Sequence, residues 1–230
     1  LRQSFMELDK NMMDLNGKIG RKMGSTILAC AVTESDFVCA NAGDSRAVLC
    51  RNGNAKLLSN DHKPNLQEER KRIEAAGGHV RKNRVCGSIA VSRSIGDFKF
   101  KDNPDLPPEK QLVTAMPDIV EVSRDHAKDE FIILACDGVW DVFSSAEAVR
   151  WVRIAMETGQ FVGNTESCDS GEIDIGTLCE NLCDECLQRG SCDNISVLIV
   201  CFPAGEQLRR KNRGALRRGG RGVSDFCVVT

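Results

Sequence analysis

Between Gly24 and Ser59 the apolar residues fall into short runs, TILACAV, FVCANAG, RAVLC and AKLLS, divided by ESD, GDS and the pair Asn52-Gly53. Runs of this length bounded by turn residues predict strands, and Asn-Gly between two of them predicts a tight hairpin. The segment is therefore expected to be an antiparallel meander. Helical spacing takes over at Asn65. Asn65 and Glu68 have the spacing of a capping box, Leu66, Ile73 and Ala76 can share a face, and Gly77-Gly78 supplies a stop. The runs VCGSIAVS, LVTAM, DIVEV and FIILAC predict further strands. Ser144 with Glu147 predicts the start of a helix reaching about Met156. A third helix is expected over Gly176–Arg189, with Leu178, Leu182, Cys186 and Leu187 inward, before the closing strand ISVLIVCF. Antiparallel strands interrupted by helices point to an α+β domain.

Composition changes this picture at two places. Twelve cysteines, among them Cys30, Cys39, Cys50, Cys86, Cys136 and Cys201, lie within apolar runs rather than in a short loop-rich framework, which predicts reduced core residues. From Gly205 onward seven Lys or Arg face two acidic residues, a net +5, leaving −7 for residues 1–204. That predicts a folded body over 1–204 and a basic, Gly-rich, disordered tail over 205–230. No window approaches the roughly 18 apolar residues of a membrane span.

The chemistry gathers at strand ends. Asp44 follows FVCANAG, Asp97 follows IAVSRSIG, Asp137 follows FIILAC and Asp193 precedes ISVLIV. Taken singly, Asp137-Gly138 and Gly43-Asp44-Ser45 can each be plain turns. As a set, with no matching cluster of Lys or Arg beside them in sequence, four carboxylates at a core edge call for a cation. Oxygen ligands alone suit a hard ion such as magnesium or manganese. CENLCDEC, with Cys179, Cys183, Cys186 and then Cys192, offers thiolates for zinc, but its spacing interleaves with Leu178, Leu182 and Leu187 and fits core packing better. His62 and His79 are expected in solvent-exposed or capping roles.

The motifs GSTILAC, ANAGDSRAVL, LSNDHKP with RIEAAGGHV, GSIAVSRSIGDFKFK, PDI, DEFIILACDGVWDV and CDNISVLIV closely resemble, in order, those of the protein phosphatase 2C family of metal-dependent Ser/Thr phosphatases. The resemblance runs from about Leu1 to Phe202. It implies an α-β-β-α sandwich of two antiparallel sheets flanked by helices, with a binuclear Mg2+ or Mn2+ site and a third, weaker ion in many members. Position by position, Asp137 and Asp193 match family metal ligands and Asp44 matches the ligand of the third ion. Asp141 and Asp97 lie in matching motifs and are expected to support the site. Lys99–Leu112 corresponds to the variable flap that helps select substrates. A metal-activated water would attack phosphoserine or phosphothreonine directly. No catalytic residue beyond the metal ligands is expected in this chain, and it has no cysteine nucleophile ahead of a phosphate-cradling loop.

The family's Asp-Gly-His-Gly motif does not occur. The N-terminal part of the domain is therefore expected upstream of Leu1, and these 230 residues alone are expected to be inactive or nearly so. The same gap supports an alternative, a non-catalytic binding or regulatory module. The implied partners are phosphoserine and phosphothreonine proteins rather than nucleic acid, for a monomer in the cytoplasm, the nucleus or both. Cys227-Val228-Val229-Thr230 after the basic run Arg209–Arg221 has the layout of a prenylated tail, which adds an expected peripheral membrane association.

Overall fold

A computed structural model describes residues 1–16, 23–158, 175–205 and 226–229. The chain divides into two compact units that interleave in sequence, one built from 1–45 and 59–122 and the other from 46–58 and 123–230. Together they contain helices and antiparallel sheets, the α+β class expected. Among the described residues no helix is long and apolar enough to cross a membrane.

In the first unit, strands β1 (Gly24–Ser25), β2 (Ile27–Val32) and β3 (Asp36–Ala42) follow a leading helix α1 (Arg2–Asn16). β2 and β3 pair antiparallel from Ile27↔Ala42 to Val32↔Phe37. With β9 (Asp118–Ser123) they form a three-stranded sheet of order β2-β3-β9. Phe5 of α1 packs on Ala40 and Ala42 of that sheet. Opposed Cys30 and Cys39 are joined in a disulfide, which corrects the expectation of reduced thiols here. The cause is register: directly paired residues on neighbouring antiparallel strands bring two sulfurs within reach. Cys86, also expected in the core, is exposed in a left-handed turn, with φ 50°.

Helix α2 (Gln67–Ala75) is shorter than its sequence pattern suggested. Leu66 is the N-cap and no side chain caps the helix, so Asn65 and Glu68 do not form a capping box. Ile73 alone of the proposed apolar face is fully buried, whereas Leu66 is exposed. Glu69 is buried instead, a carboxylate where an apolar pattern had no place for one. Short strands β6 (Val80–Arg81) and β7 (Arg84–Val85) form a hairpin whose turn residues Lys82 and Asn83 both have positive φ. VCGSIAVS and LVTAM are not continuous strands. The first breaks at Cys86-Gly87, both left-handed: Val85 ends β7, Ile89 makes only an isolated bridge back to it, and β8 (Ile95–Gly96) lies beyond the run. The second makes a single bridge, Arg93↔Thr114.

The second unit carries a five-stranded antiparallel sheet of order β12-β11-β10-β4-β5, with β4 (Arg46–Arg51), β5 (Asn54–Leu57), β10 (Asp129–Ala135), β11 (Val197–Cys201) and β12 (Phe226–Val229). Asn52 and Gly53, at φ 49° and 77°, make the expected hairpin turn. Central β10 is buried almost throughout, and each fully buried Phe or Ile contributes about 1.5–3 kcal/mol. Helices α4 (Ser145–Thr158) and α5 (Ile175–Gln188) share one core with it, built on Phe131, Ile133, Val152, Leu178, Leu182 and Ile199. Ser144 and Glu147 do form a reciprocal cap on α4: the Ser144 amide donates to Glu147 Oε2 at 2.9 Å, and the Glu147 amide donates to Ser144 Oγ at 3.2 Å. On α5, Cys179 and Cys186 are core residues as expected, but Leu187 is 57% exposed. Burial pushes the Cys186 thiol up to about 12, the behaviour of a packed thiol rather than a ligand. Residues 226–229, assigned to a disordered tail, pair antiparallel with β11 from Val197↔Val229 to Val200↔Phe226. Phe, Cys and two valines are strand-favouring, and the charge of the preceding run masked that signal. The basic run itself lies outside the described residues.

Candidate metal-binding loops and their supports

In the second unit β10 delivers Asp137 directly. The strand ends at Ala135, and a single helical turn α3 (Asp137–Trp140) starts with the carboxylate. Trp140 Nε1 donates to the Ala135 carbonyl at 2.8 Å, so the turn folds back on the strand that precedes it. Asp193 lies on the loop entering β11, and its Oδ1 accepts the Asn194 amide at 2.7 Å. The two loops are stitched together. The Cys136 amide donates to the Ser196 carbonyl at 3.2 Å, the Cys136 thiol donates to the Asn194 carbonyl at 3.2 Å, and Ser191 Oγ donates to the Gly138 carbonyl at 2.7 Å. Asp137 is half-buried and Asp193 exposed, so both carboxylates are reachable from solvent.

Arg46, which the sequence reading passed over, also stands here. It pairs in register with Ala135, its guanidinium lies 5.1 Å from the Trp140 ring centroid, and Nη1 donates to Ser145 Oγ at 3.0 Å. The signal was available, since Arg46 follows Gly43-Asp44-Ser45 at the start of the strand beside β10. Asp141, expected to support the site, is exposed, and its amide closes α3 on the Asp137 carbonyl at 2.8 Å.

The first unit holds Asp44 and Asp97. Asp44 is 4% exposed on the turn after β3. Asn41 Nδ2 faces the carbonyls of Gly43, Ser45 and Asn60 at 3.1, 3.0 and 2.7 Å, and Thr26 Oγ1 and Ser45 Oγ share a hydrogen bond at 2.9 Å. Gly43 sits at φ 136°, and a Cβ there would overlap the Thr26 side chain. Lys63 Nζ bonds Asp44 Oδ2, which corrects the view that these carboxylates lack a basic neighbour. Sequence distance concealed the pair, for Lys63 is nineteen positions away. Asp97 takes a left-handed conformation, φ 52°. Its Oδ2 accepts from Ser94 Oγ at 2.8 Å and packs where a side chain on Gly24 would otherwise lie. The start of the segment matched to the flap, Lys99–Leu112, is tied down nearby: Lys101 Nζ reaches Asp9 of α1 at 2.8 and 2.9 Å, and Asp9 Oδ1 also accepts the Gly96 amide at 2.7 Å. Within the flap, Gln111 Nε2 donates to the Asn103 and Leu106 carbonyls, each at 2.7 Å.

His62 departs furthest from expectation. It is 2% exposed rather than on the surface, whereas His79 is exposed. One ring edge lies on Gly43, with Nδ1 3.3 Å from its amide and 3.2 Å from its carbonyl, and Nε2 stands 3.2 Å from Asp118 Oδ2. Behind Asp118 runs a chain of ions. Arg93 Nη1 reaches Asp118 at 2.7 Å and Nη2 reaches Glu69 at 2.6 Å, while Arg72 Nη1 holds the other Glu69 oxygen at 2.6 Å. Contact with His62, together with Arg93, holds the Asp118 carboxyl well below the usual range against the opposing effect of burial.

The donor chemistry fits a hard cation in part. Asp137 and Asp193 offer carboxylate oxygens on loops of the second unit fixed to one another, and Asp44 is a separate carboxylate of the first unit. Among the described residues no group of three His, Cys, Asp or Glu side chains lies close enough to hold a metal by itself.

Helices and antiparallel sheets with aspartates at strand ends define a class that comparison with known proteins identifies. The family model for Protein phosphatase 2C matches residues 1–195, and the chain belongs to that family. It is 42% identical over 215 residues to Protein phosphatase 2C homolog 2 of Schizosaccharomyces pombe, covering 90% of this chain and 54% of that protein. To human Protein phosphatase 1A it is 38% identical over 205 residues, covering 88% and 50%. Among solved structures, a C. elegans sex determining protein superposes with a TM-score of 0.77 at 25% identity, covering 92% of this chain and 48% of that one. A phosphatase from a pathogenic strain of Toxoplasma gondii gives 0.65 at 32% identity, covering 84% and 53%. The chain thus spans about half the length of the curated relatives it matches.

Proposed function

We propose that the protein is a metal-dependent Ser/Thr phosphatase acting on phosphoserine and phosphothreonine in proteins. The observation that carries the reading is the pair Asp137 and Asp193, on loops joined by the Cys136 amide, the Cys136 thiol and the Ser191 hydroxyl, each bonded to a carbonyl of the opposite loop. Two solvent-reachable carboxylates on loops joined in this way offer oxygen donors of the kind a hard cation takes. Mg2+ or Mn2+ held there would supply an acidified water and charge neutralisation on the phosphoryl oxygens. The chain's own residues do the rest. Asp137 and Asp193 present oxygens, Cys136, Gly138 and Ser191 fix their loops, and Arg46 adds positive charge beside the strand end; Asp44, in the first unit, is read as the ligand of a weaker ion.

The test uses protein expressed from its full open reading frame. Phosphoserine and phosphothreonine peptides should be hydrolysed only with added Mg2+ or Mn2+. Asp137→Asn or Asp193→Asn should each cut turnover by about a thousandfold, the order expected when several kcal/mol of metal-derived stabilisation are lost. Undiminished activity in excess chelator would overturn the reading. Stoichiometric phosphopeptide binding with no turnover would assign the non-catalytic module instead.

A further inference from the structure

We propose that His62, backed by Asp118, is a positioning residue that sets the Gly43–Asp44 turn. The inference concerns a residue outside the carboxylate set, and its link to metal rests on the reading of Asp44 given above.

Three observations carry it. First, His62 meets the turn on both backbone and side chain. Its amide donates to the Gly43 carbonyl at 2.9 Å, and its ring covers the Gly43 amide and carbonyl. Gly43 is the residue whose positive φ aims Asp44, so a ring fixed against it limits the directions the carboxylate can take. Second, the ring is itself fixed. The Asp118 carboxylate stands 3.2 Å from Nε2, a charge contact without the alignment of a hydrogen bond, while Arg93 holds Asp118, and Glu69 and Arg72 hold Arg93 to α2. A carboxylate held that close to an imidazole edge favours one orientation of the ring. Third, the His62 carbonyl accepts both the amide and the hydroxyl of Ser92, at 3.1 and 3.0 Å, so the backbone carrying the ring cannot drift. Core packing alone would not place polar partners at both ends of a buried imidazole. An apolar ring would fill the same space without having to satisfy two nitrogens.

The chain of contacts also has a direction. Arg72 donates to the Gln111 carbonyl at 3.2 Å and to the Ser92 carbonyl at 2.6 Å. The end of the flap and the segment under His62 therefore share one guanidinium, and the turn bearing Asp44 lies two residues of the network further on.

The experiment compares His62→Ala, His62→Asn and Asp118→Asn with the parent in the full chain. Asn places an amide near the Nδ1 position and can keep the contact with Gly43. Amide exchange followed by NMR without metal reads the turn directly. His62→Ala should speed exchange of the Gly43 amide by about tenfold or more while the β2–β3 ladder at Val38 and Ala40 stays protected. His62→Asn should recover most of that protection. Asp118→Asn should fall between the two. Calorimetric titration with Mn2+ should show the weakest binding step loosened about tenfold in His62→Ala, the order found when an outer partner of a ligand is lost. An unchanged Gly43 rate in His62→Ala, or equal loss of protection across the whole ladder, would overturn the proposal. Failure of His62→Asn to restore protection would do the same. If Asp44→Ala leaves the Mn2+ titration untouched, the reading of Asp44 fails, and the exchange data still decide the role of His62.

Discussion

Gly138 and Asn194 are in backbone contact: a Cβ on Gly138 would fall within overlap distance of the Asn194 carbonyl oxygen and 3.2 Å from Ile195 Cγ1. Asp137 and Asp193 each immediately precede one partner of this contact. Gly138→Ala should therefore push the two carboxylate loops apart. Overpacking of this kind costs about 1–3 kcal/mol, readable in denaturant melts. The sharper expectation is in metal binding, where Mn2+ titration should weaken far more than in a control of equal stability loss elsewhere in the unit. Equal effects in both would mean the contact serves only packing.

Asp44→Ala should leave the first unit folded. The turn keeps the Asn41 contacts with Gly43, Ser45 and Asn60, and Lys63, 37% exposed, regains water when its partner goes. A thermal midpoint within a few degrees of the parent is expected, with turnover reduced and more metal required to support it. Loss of the cooperative melt would show that Asp44 mainly holds the bend.

Glu69 gives a pH dependence with a definite sign. Burial acts to raise its carboxyl, but the hydrogen bonds of Arg93 and the charges of Arg72 and Arg93 outweigh it and draw the group from 4.5 down to about 2. A carboxylate depressed in the folded state stabilises fully above its unfolded value near 4.5, and that contribution is lost as pH falls from there toward 2. The shift corresponds to roughly 3 kcal/mol. Glu69→Gln should cost a few kcal/mol at pH 7, because it leaves Arg72 and Arg93 short of a buried partner. It should also flatten the acid limb of the stability curve between pH 5 and 2. A parallel acid limb in the variant would mean the charge is not coupled to folding.

What the sequence made legible follows from which interactions are local. The β2–β3 and β4–β5 pairs, the Asn52-Gly53 turn, the Ser144–Glu147 cap and the core positions Leu178, Leu182 and Cys186 of α5 depend on neighbours within a few positions, and each was readable; the single meander expected over Gly24–Ser59 was not formed, because β3 and β4 belong to different sheets. The places of Asp137 and Asp193 beside strand ends were readable too, because a carboxylate next to an apolar run stands out locally. His62 was not. Its burial depends on Asp118, fifty-six positions on, and on an arginine pair that no periodicity announces. VCGSIAVS misled because its apolar content suits a strand while Cys86 and Gly87 both turn left-handed. Lys63 was hidden from Asp44 in the same way, by a pairing that only the fold creates.

The Cys30–Cys39 bond carries the last prediction. It joins opposed residues of β2 and β3 across nine positions of chain, with the Cα atoms 4.1 Å apart. Closing so short a loop removes conformations chiefly from the unfolded chain, a stabilisation of about 2–3 kcal/mol. Mass spectrometry of protein unfolded without reductant should find these two cysteines resistant to thiol alkylation, while Cys86 and Cys192, both exposed and free, react. Reductant should lower the melting temperature of the parent by several degrees and leave Cys30→Ser/Cys39→Ser unmoved. The sheet itself should survive in that double variant, since the ladder from Ile27↔Ala42 to Val32↔Phe37 does not depend on the sulfurs. Alkylation of both residues before reduction, or identical melts with and without reductant, would show that the protein in solution keeps them as thiols.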